Sequence, residues 1–255
     1  MIILRVNEFA NLLKILAALI IFLFISVVQP QTVWSKAYRP QNPEAAIGPV
    51  KISLIGPDSF PRIDGQDRNL DDILLATQSP AAAILGIFAE PGAWKKFQSA
   101  KKSEDTGLNC HALISTPAPM ADRNTTPDDF SRIKKDLNSN LKGSVNKERR
   151  LEGELATVSD HKVEQAVGRI EAFAVLDEGK DFIIYRLESS LEIRFKDKSK
   201  PRISRSTTIT STMLLEGKII NLQLIADAQG PSRKTLEKTA ISWHESFIKA
   251  NLRNR

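Results

Sequence analysis

The chain has 255 residues, with 36 Lys and Arg against 30 Asp and Glu, and a single cysteine. Its length suits one large or two small domains, and 42% hydrophobic with 26% charged residues is ordinary globular usage, which excludes collagen-like and wholly disordered readings. One cysteine also excludes an intrachain disulfide framework, a zinc ribbon and a paired-cysteine redox motif.

The first feature in chain order is the run Ile15 to Val28, whose only polar member is Ser26, preceded by Arg5, Lys14 and the lone acid Glu8. A positive start ahead of a short apolar run is the pattern of a secretory leader. Fourteen residues rise roughly 21 Å, short of the roughly 30 Å hydrocarbon core, and extending back to Leu12 takes in Lys14, which must snorkel. Residues 1–37 are therefore expected to be a signal peptide cut after Ser35-Lys36-Ala37, or an uncleaved anchor holding the membrane through residues 12–28. Either outcome predicts export, to the bacterial periplasm or to an inner-membrane position facing it, with a thylakoid lumen as the alternative. No cysteine lies near the run, so a lipoprotein signal is absent. Beyond residue 37 the chain carries 33 basic and 29 acidic side chains, interspersed rather than blocked. Lys95-Lys96, Lys101-Lys102 and the stretch 147–150 have acids nearby, so no nucleic-acid surface is expected.

Residues 38–49, rich in Pro, Asn and Ala, read as a linker, and 50–251 as a single α+β domain. A strand is expected over 50–55, a polar loop over 58–68, and a short helix from Asn69 with Leu70, Ile73 and Leu74 on one side. The apolar segment 83–89 reads as a central strand, 93–98 as one or two helical turns, and 109–116 as another strand. Thr126 is placed to cap a helix with Pro127 at its first position and Phe130, Ile133, Leu137 and Leu141 as its stripe. Residues 143–162 read as a loop or frayed helix. Strands are then expected over 170–176, 182–195, 202–215 and 218–226, joined by turns at Gly179 and at Glu216-Gly217. Within 182–195, Tyr185, Leu187, Leu191, Ile193 and Phe195 share one parity and Arg186, Glu188, Glu192 and Arg194 the other, which predicts one face on a core and one in water. A last helix over 232–251 carries Leu236, Ala240, Trp243, Phe247 and Ala250 on one stripe. The fold class is thus α+β: an antiparallel meander packed by helices and preceded by a signal or membrane-anchor helix.

The chain matches no phosphate loop, dinucleotide-binding turn, nucleophile elbow or two-His metalloprotease helix. His111, His161 and His244 lie in unrelated segments, so no metal site is expected. Cys110 and His111 are neighbours in a strand and should point to opposite faces, leaving Cys110 a small buried hydrophobe. His244 and Glu245 diverge by about 100° on a helix, which disfavours direct cooperation. Asp71-Asp72 and Asp128-Asp129 sit at helix starts, where acids complement the dipole. The hydroxyl-rich stretch 204–212 reads as a sheet face, or as a platform for a sugar, peptide or partner strand. Trp94 and Trp243 read as core. Asn124-Thr125-Thr126 matches a glycosylation sequon, meaningful only in a eukaryotic secretory source.

The meander, the hairpin Glu216-Gly217-Lys218-Ile219-Ile220 and a long terminal helix with Trp243 resemble the PsbP-like fold, a group of extrinsic photosystem subunits and small bacterial envelope lipoproteins. The resemblance is one of layout over about 165–251; extra elements between 56 and 107 depart from it. It also resembles uncharacterised bacterial exported proteins with a leader and one α+β domain. What it implies is an accessory or binding subunit without catalysis of its own, and no site residue carries across because no site motif is matched. The reading is a non-enzymatic exported protein that binds another envelope component through its sheet face or the 56–68 loop. No catalytic, cofactor or metal residue is assigned. The alternatives are a hydrolase assembled in space from groups such as His111, Asp129 or His244, and a small-ligand site beside Trp243.

Overall fold

The computed structural model describes residues 42–66, 82–99, 108–150, 157–158, 161–196 and 200–253. The leader at 1–37, Asp71-Asp72 and the short helix expected from Asn69 lie outside the described residues. Among the described residues no helix is long and apolar enough to cross a membrane.

In chain order the elements are β1 (Glu44–Ile47), β2 (Val50–Ser53), β3 (Ala82–Ala89), α1 (Pro91–Ser99), β4 (Cys110–Pro117), α2 (Pro127–Ser144), β5 (Glu148–Arg150), β6 (Thr157–Val158), β7 (His161–Glu178), β8 (Phe182–Phe195), β9 (Arg202–Leu215), β10 (Lys218–Asp227) and α3 (Arg233–Arg253). The main sheet is antiparallel throughout, in the order β3-β4-β10-β9-β8-β7-β5, with β6 paired to β7. The expected meander is β7 to β10, and β4 and β3 extend it beyond β10. Its tightest turn joins Leu215 to Lys218 through Glu216 (φ 51°) and Gly217 (φ 76°), the left-handed pair that a two-residue hairpin matching the strand twist requires.

Helices pack on both faces of the central part of the sheet. On one, Leu137 and Leu141 of α2 pack with Ile183, Tyr185 and Leu187 of β8. The helix starts as expected: Thr126 Oγ1 accepts from Asp129 N at 3.1 Å, and the Asp129 carboxylate accepts in return from the Thr126 backbone N–H. Lys134 joins this buried side, its Nζ 2.5 Å from the Gly179 carbonyl and 3.0 Å from Glu178 Oε1, so a lysine ties α2 to the β7–β8 turn. On the other face Leu236, Ala240, Trp243 and Phe247 of α3 bury against Ile184, Ile209, Met213, Ile220 and Leu222. Trp243 Nε1 donates to the Ile55 carbonyl at 2.6 Å, and the Asn251 side chain bonds both Ser53 N (2.7 Å) and Ser53 O (3.2 Å), fixing the β1–β2 hairpin to α3.

Three expectations are corrected. The segment read as a linker, 38–49, contains β1, because Gly48 (φ 59°) turns the chain so that Ile47 pairs Val50 and both join the core. Strand β7 begins at His161 rather than Ile170, inside the stretch read as loop or frayed helix; pairing with β6 at 161–162 and with the long β8 from Val163 supplies its hydrogen bonds, while register shifts at 163/165, 170/172 and 175/177 break the alternation that would have marked it. The polar parity of β8 faces water only in its outer half. Nearer the turn it lies under α3, where Arg186 bonds Glu237 and Arg233 Nη1 is 3.6 Å from Glu188 Oε1.

The loop expected over 58–68 caps a sheet edge over its described part. Ile63 N donates to Ile87 O, Ala89 N to Pro61 O, and Ile87 N to Asp64 Oδ1 at 3.1 Å, so a carboxylate completes the ladder along the outer side of β3. Asp64 is fully buried and is met by Arg62 through Nε and Nη2, both at 2.7 Å.

Phe247, fully buried at the centre of the α3 seam, sets the scale of the packing. Phe247→Ala should lower unfolding free energy by about 3–5 kcal/mol in urea titration. Leu252→Ala, at a position 46% exposed on the same helix, should change it by less than about 0.5 kcal/mol.

Candidate functional site

The register decides which chemistry-bearing residues meet. In β4 the side chains alternate, so Cys110 lies with Ala112 and Ile114 in the α3-side core while His111 lies on the α2 face beside Ile225 of β10. Burial, with the negative charges of Glu90 and Asp227, pushes the Cys110 thiol up to about 12, so it stays protonated and is no nucleophile. His111 is 5% exposed, and neither ring nitrogen meets another side chain. Burial holds its imidazole down at about 4, against a weaker opposite pull from the Leu108 backbone.

His244 faces the other side of the sheet. Its Nδ1 is 2.8 Å from Ser211 Oγ, and its ring lies 4.5 Å from that of Phe182. Burial lowers its pKa, and the charges of Asp177 and Glu245 partly restore it. The pair is a Ser–His hydrogen bond, but Ser211 is 2% exposed beneath α3, where a substrate carbonyl has no approach. Asp129 is held below the usual carboxylate range by its hydrogen bonds from Thr126, and pairs with Arg132 at 2.5 Å; it belongs to the helix cap. The groups named for a hydrolase, His111, Asp129 and His244, thus lie on opposite sheet faces and at a helix end. His161 falls in β7, and its side chain lies outside the described residues. Among the described residues no group of three His, Cys, Asp or Glu side chains is placed to hold a metal.

The hydroxyl stretch of β9 splits by parity. Thr208, Thr210 and Thr212 lie with Tyr185 on the α2 face, all buried, and Thr212 Oγ1 donates to Asn221 Oδ1 at 2.8 Å. Burial pushes the Tyr185 hydroxyl up to about 12, opposed by hydrogen bonds with Thr210 and Thr212. These threonines are interior groups rather than an open platform. Trp94 stacks on Phe97 with centroids 5.4 Å apart, and both tryptophans are core. In the sequon, Thr125 is buried with its N–H on the Gly217 carbonyl, and the Thr126 hydroxyl is engaged by the cap.

The open chemistry lies where sequence motifs did not point. Pairing of β9 with β10 ends at Ser206, yet β9 continues to Arg202, paired to β8 at Ile193, and β8 continues paired to β7. This extension of β9 reaches roughly 13 Å past the last β10 residue. Its α2-side face is packed by Ala166, Ile170, Leu191 and Ile193. Its α3-side face lies past Glu188, where α3 begins with Arg233, and forms a cleft of about 330 Å³. Across it run two register rows on one face: Arg169, Ser190 and Arg205, then Val167, Glu192 and Ile203. Arg169 pairs Glu148, Arg205 lies 3.8 Å from Glu171, and Arg194 lies 3.1 Å from Glu192, so three guanidinium groups and three carboxylates alternate around the cleft. Ile203, 57% exposed, stands among them as the most exposed of the large hydrophobic side chains described. The alternation of Glu192 and Arg194 was visible in sequence. The partners from β5, β7 and β9 were not, because only register brings them together.

No protein-family model matches the chain, and no curated protein matches it. Among solved structures it is similar to the Saccharomyces cerevisiae Ran-binding protein Mog1p, at 9% identity over 80% of this chain and 85% of that one, with a TM-score of 0.23. So distant a likeness carries no argument about fold or function.

The burial of the two histidines makes stability depend on pH. The unfolded His111 takes a proton near pH 6.5 and the folded one near 4, so the unfolded state binds more protons between those values and stability falls as pH drops through that window. The loss from His111 should be about 3 kcal/mol between pH 7 and pH 4, with His244 adding in the same direction. Urea unfolding across that range should show a much shallower decline in His111→Met, and equal slopes in both proteins would refute the assignment.

Proposed function

We propose that this chain is an exported, non-enzymatic envelope protein, held at or released from the inner membrane on the periplasmic side, that serves as a binding or accessory subunit. Its docking surface is the open α3-side face of the β7–β9 extension. The observation that carries this reading is the contrast between a sheet core with helices packed on both faces and one concave stretch of the same sheet over which, among the described residues, no helix packs. A sheet face that mixes half-exposed Arg and Glu with the aliphatic side chains of Val167 and the exposed Ile203 has the polar and apolar mixture of a protein interface. The leader pattern at residues 15–28 supports export, and the PsbP-like layout of the C-terminal half points to an accessory role.

Placing a photo-reactive amino acid at position 203 of the full-length protein, in its native membranes, tests the reading, with position 252 as control. Irradiation should join position 203 to one dominant envelope protein and leave position 252 without it. The same bystanders recovered from both positions, or only a second copy of this chain from 203, would overturn it.

A further inference from the structure

The lining of the cleft also says what kind of segment it takes. Three arginines and three glutamates leave it without net charge, so it offers no field to a polyanion such as a nucleic acid or an acidic membrane, nor to a polycation. The charges are ordered by row. In the first row Arg169 and Arg205 flank the Ser190 hydroxyl, with their Cα atoms about 10 Å apart across two strand spacings, a setting for a carboxylate reached by forked guanidinium groups. In the second row the Glu192 carboxylate stands between Val167 and Ile203, a setting for an ammonium or guanidinium head whose methylene stem lies on the two aliphatic side chains. The rows are two residues apart along each strand, about 7 Å. An extended peptide repeats its side chains on one face at the same interval.

We infer that the segment docked here is an extended stretch of a partner protein carrying an acidic and a basic side chain two positions apart, the acid over Arg169 and Arg205 and the base over Glu192. The inference rests on the docking reading above. The ion pairs that now engage these groups are half-exposed, with Glu192 40% and Arg205 67% accessible, and exchanging such pairs for those of a partner costs little.

The test uses the purified full-length protein in detergent and three labelled nine-residue peptides with Thr and Val flanks, centred on Glu-Thr-Lys, Glu-Thr-Glu or Lys-Thr-Lys, read by fluorescence anisotropy. The mixed peptide should bind on the order of tenfold tighter than either like-charged one, and should weaken as salt is raised. Glu192→Arg should move the preference to Glu-Thr-Glu, and Arg169→Glu should weaken the mixed peptide. Equal binding of all three peptides, no binding at millimolar concentration, or an unchanged preference in Glu192→Arg would overturn the inference. Failure here leaves the docking reading separately decidable. A dominant partner cross-linked at position 203 through a segment without the acid–base pattern would keep docking and discard the charge rule.

Discussion

A sheet this long has to dispose of two faces, and helix α3 covers only part of one. Strands β8 and β9 run 14 residues each and β7 runs 18, whereas β10 stops after 10, so the longer strands outrun both their inner neighbour and the helix above. What lies beyond Glu188 must therefore be stable with one face in water. Its sequence alternates accordingly, with Leu191 and Ile193 inward and Ser190, Glu192 and Arg194 outward. The bulges along β7 add local twist to this extension, and twisted strands carrying long polar side chains make a concave surface rather than a flat one.

The same two-sidedness governs where chemistry can occur. Adjacent residues on a strand are separated by the sheet itself, so Cys110 and His111 are strangers despite being neighbours, and His111 and His244 sit in different interiors. The buried charged groups Asp64, Lys134 and Lys218 join elements. Asp64 with Arg62 closes the outer edge of β3, Lys134 ties α2 to a turn, and Lys218, 1% exposed, gives its Nζ to the Arg123 carbonyl at 3.0 Å. Such contacts are strong in a low-dielectric interior and costly to break from one side. They account for the buried carboxylate and ammonium groups among the described residues.

Much of this architecture was legible in the amino-acid pattern because its signals are local. The cap at Thr126, the turn at Glu216-Gly217, the stripe of α3 and the apolar face of β8 each lie within a few residues of one another, and each appears where expected. Three features were not legible, and all three are long-range. Strand β7 owes its first residues to pairing with β6 and then β8, the edge cap of β3 depends on a loop more than 20 residues upstream, and the cleft needs side chains from β5, β7, β8 and β9 brought into register. Lys134 was passed over for a simpler reason: a lysine in an apolar stripe looks like a surface residue until its acceptor, 45 residues away, is placed beside it.

The proposed docking role depends on whether the open face of the extension is covered in the cell. Carboxylate footprinting measures that directly: the full-length protein is labelled with a carbodiimide in its native membranes and again after purification, and the extent of modification is compared residue by residue. Glu192 and Glu171 should be protected in the membrane and reactive once purified, while Glu245, exposed on α3 away from the extension, should react equally in both. Equal reactivity of Glu192 in the two samples would contradict the claim that this face is where the protein does its work.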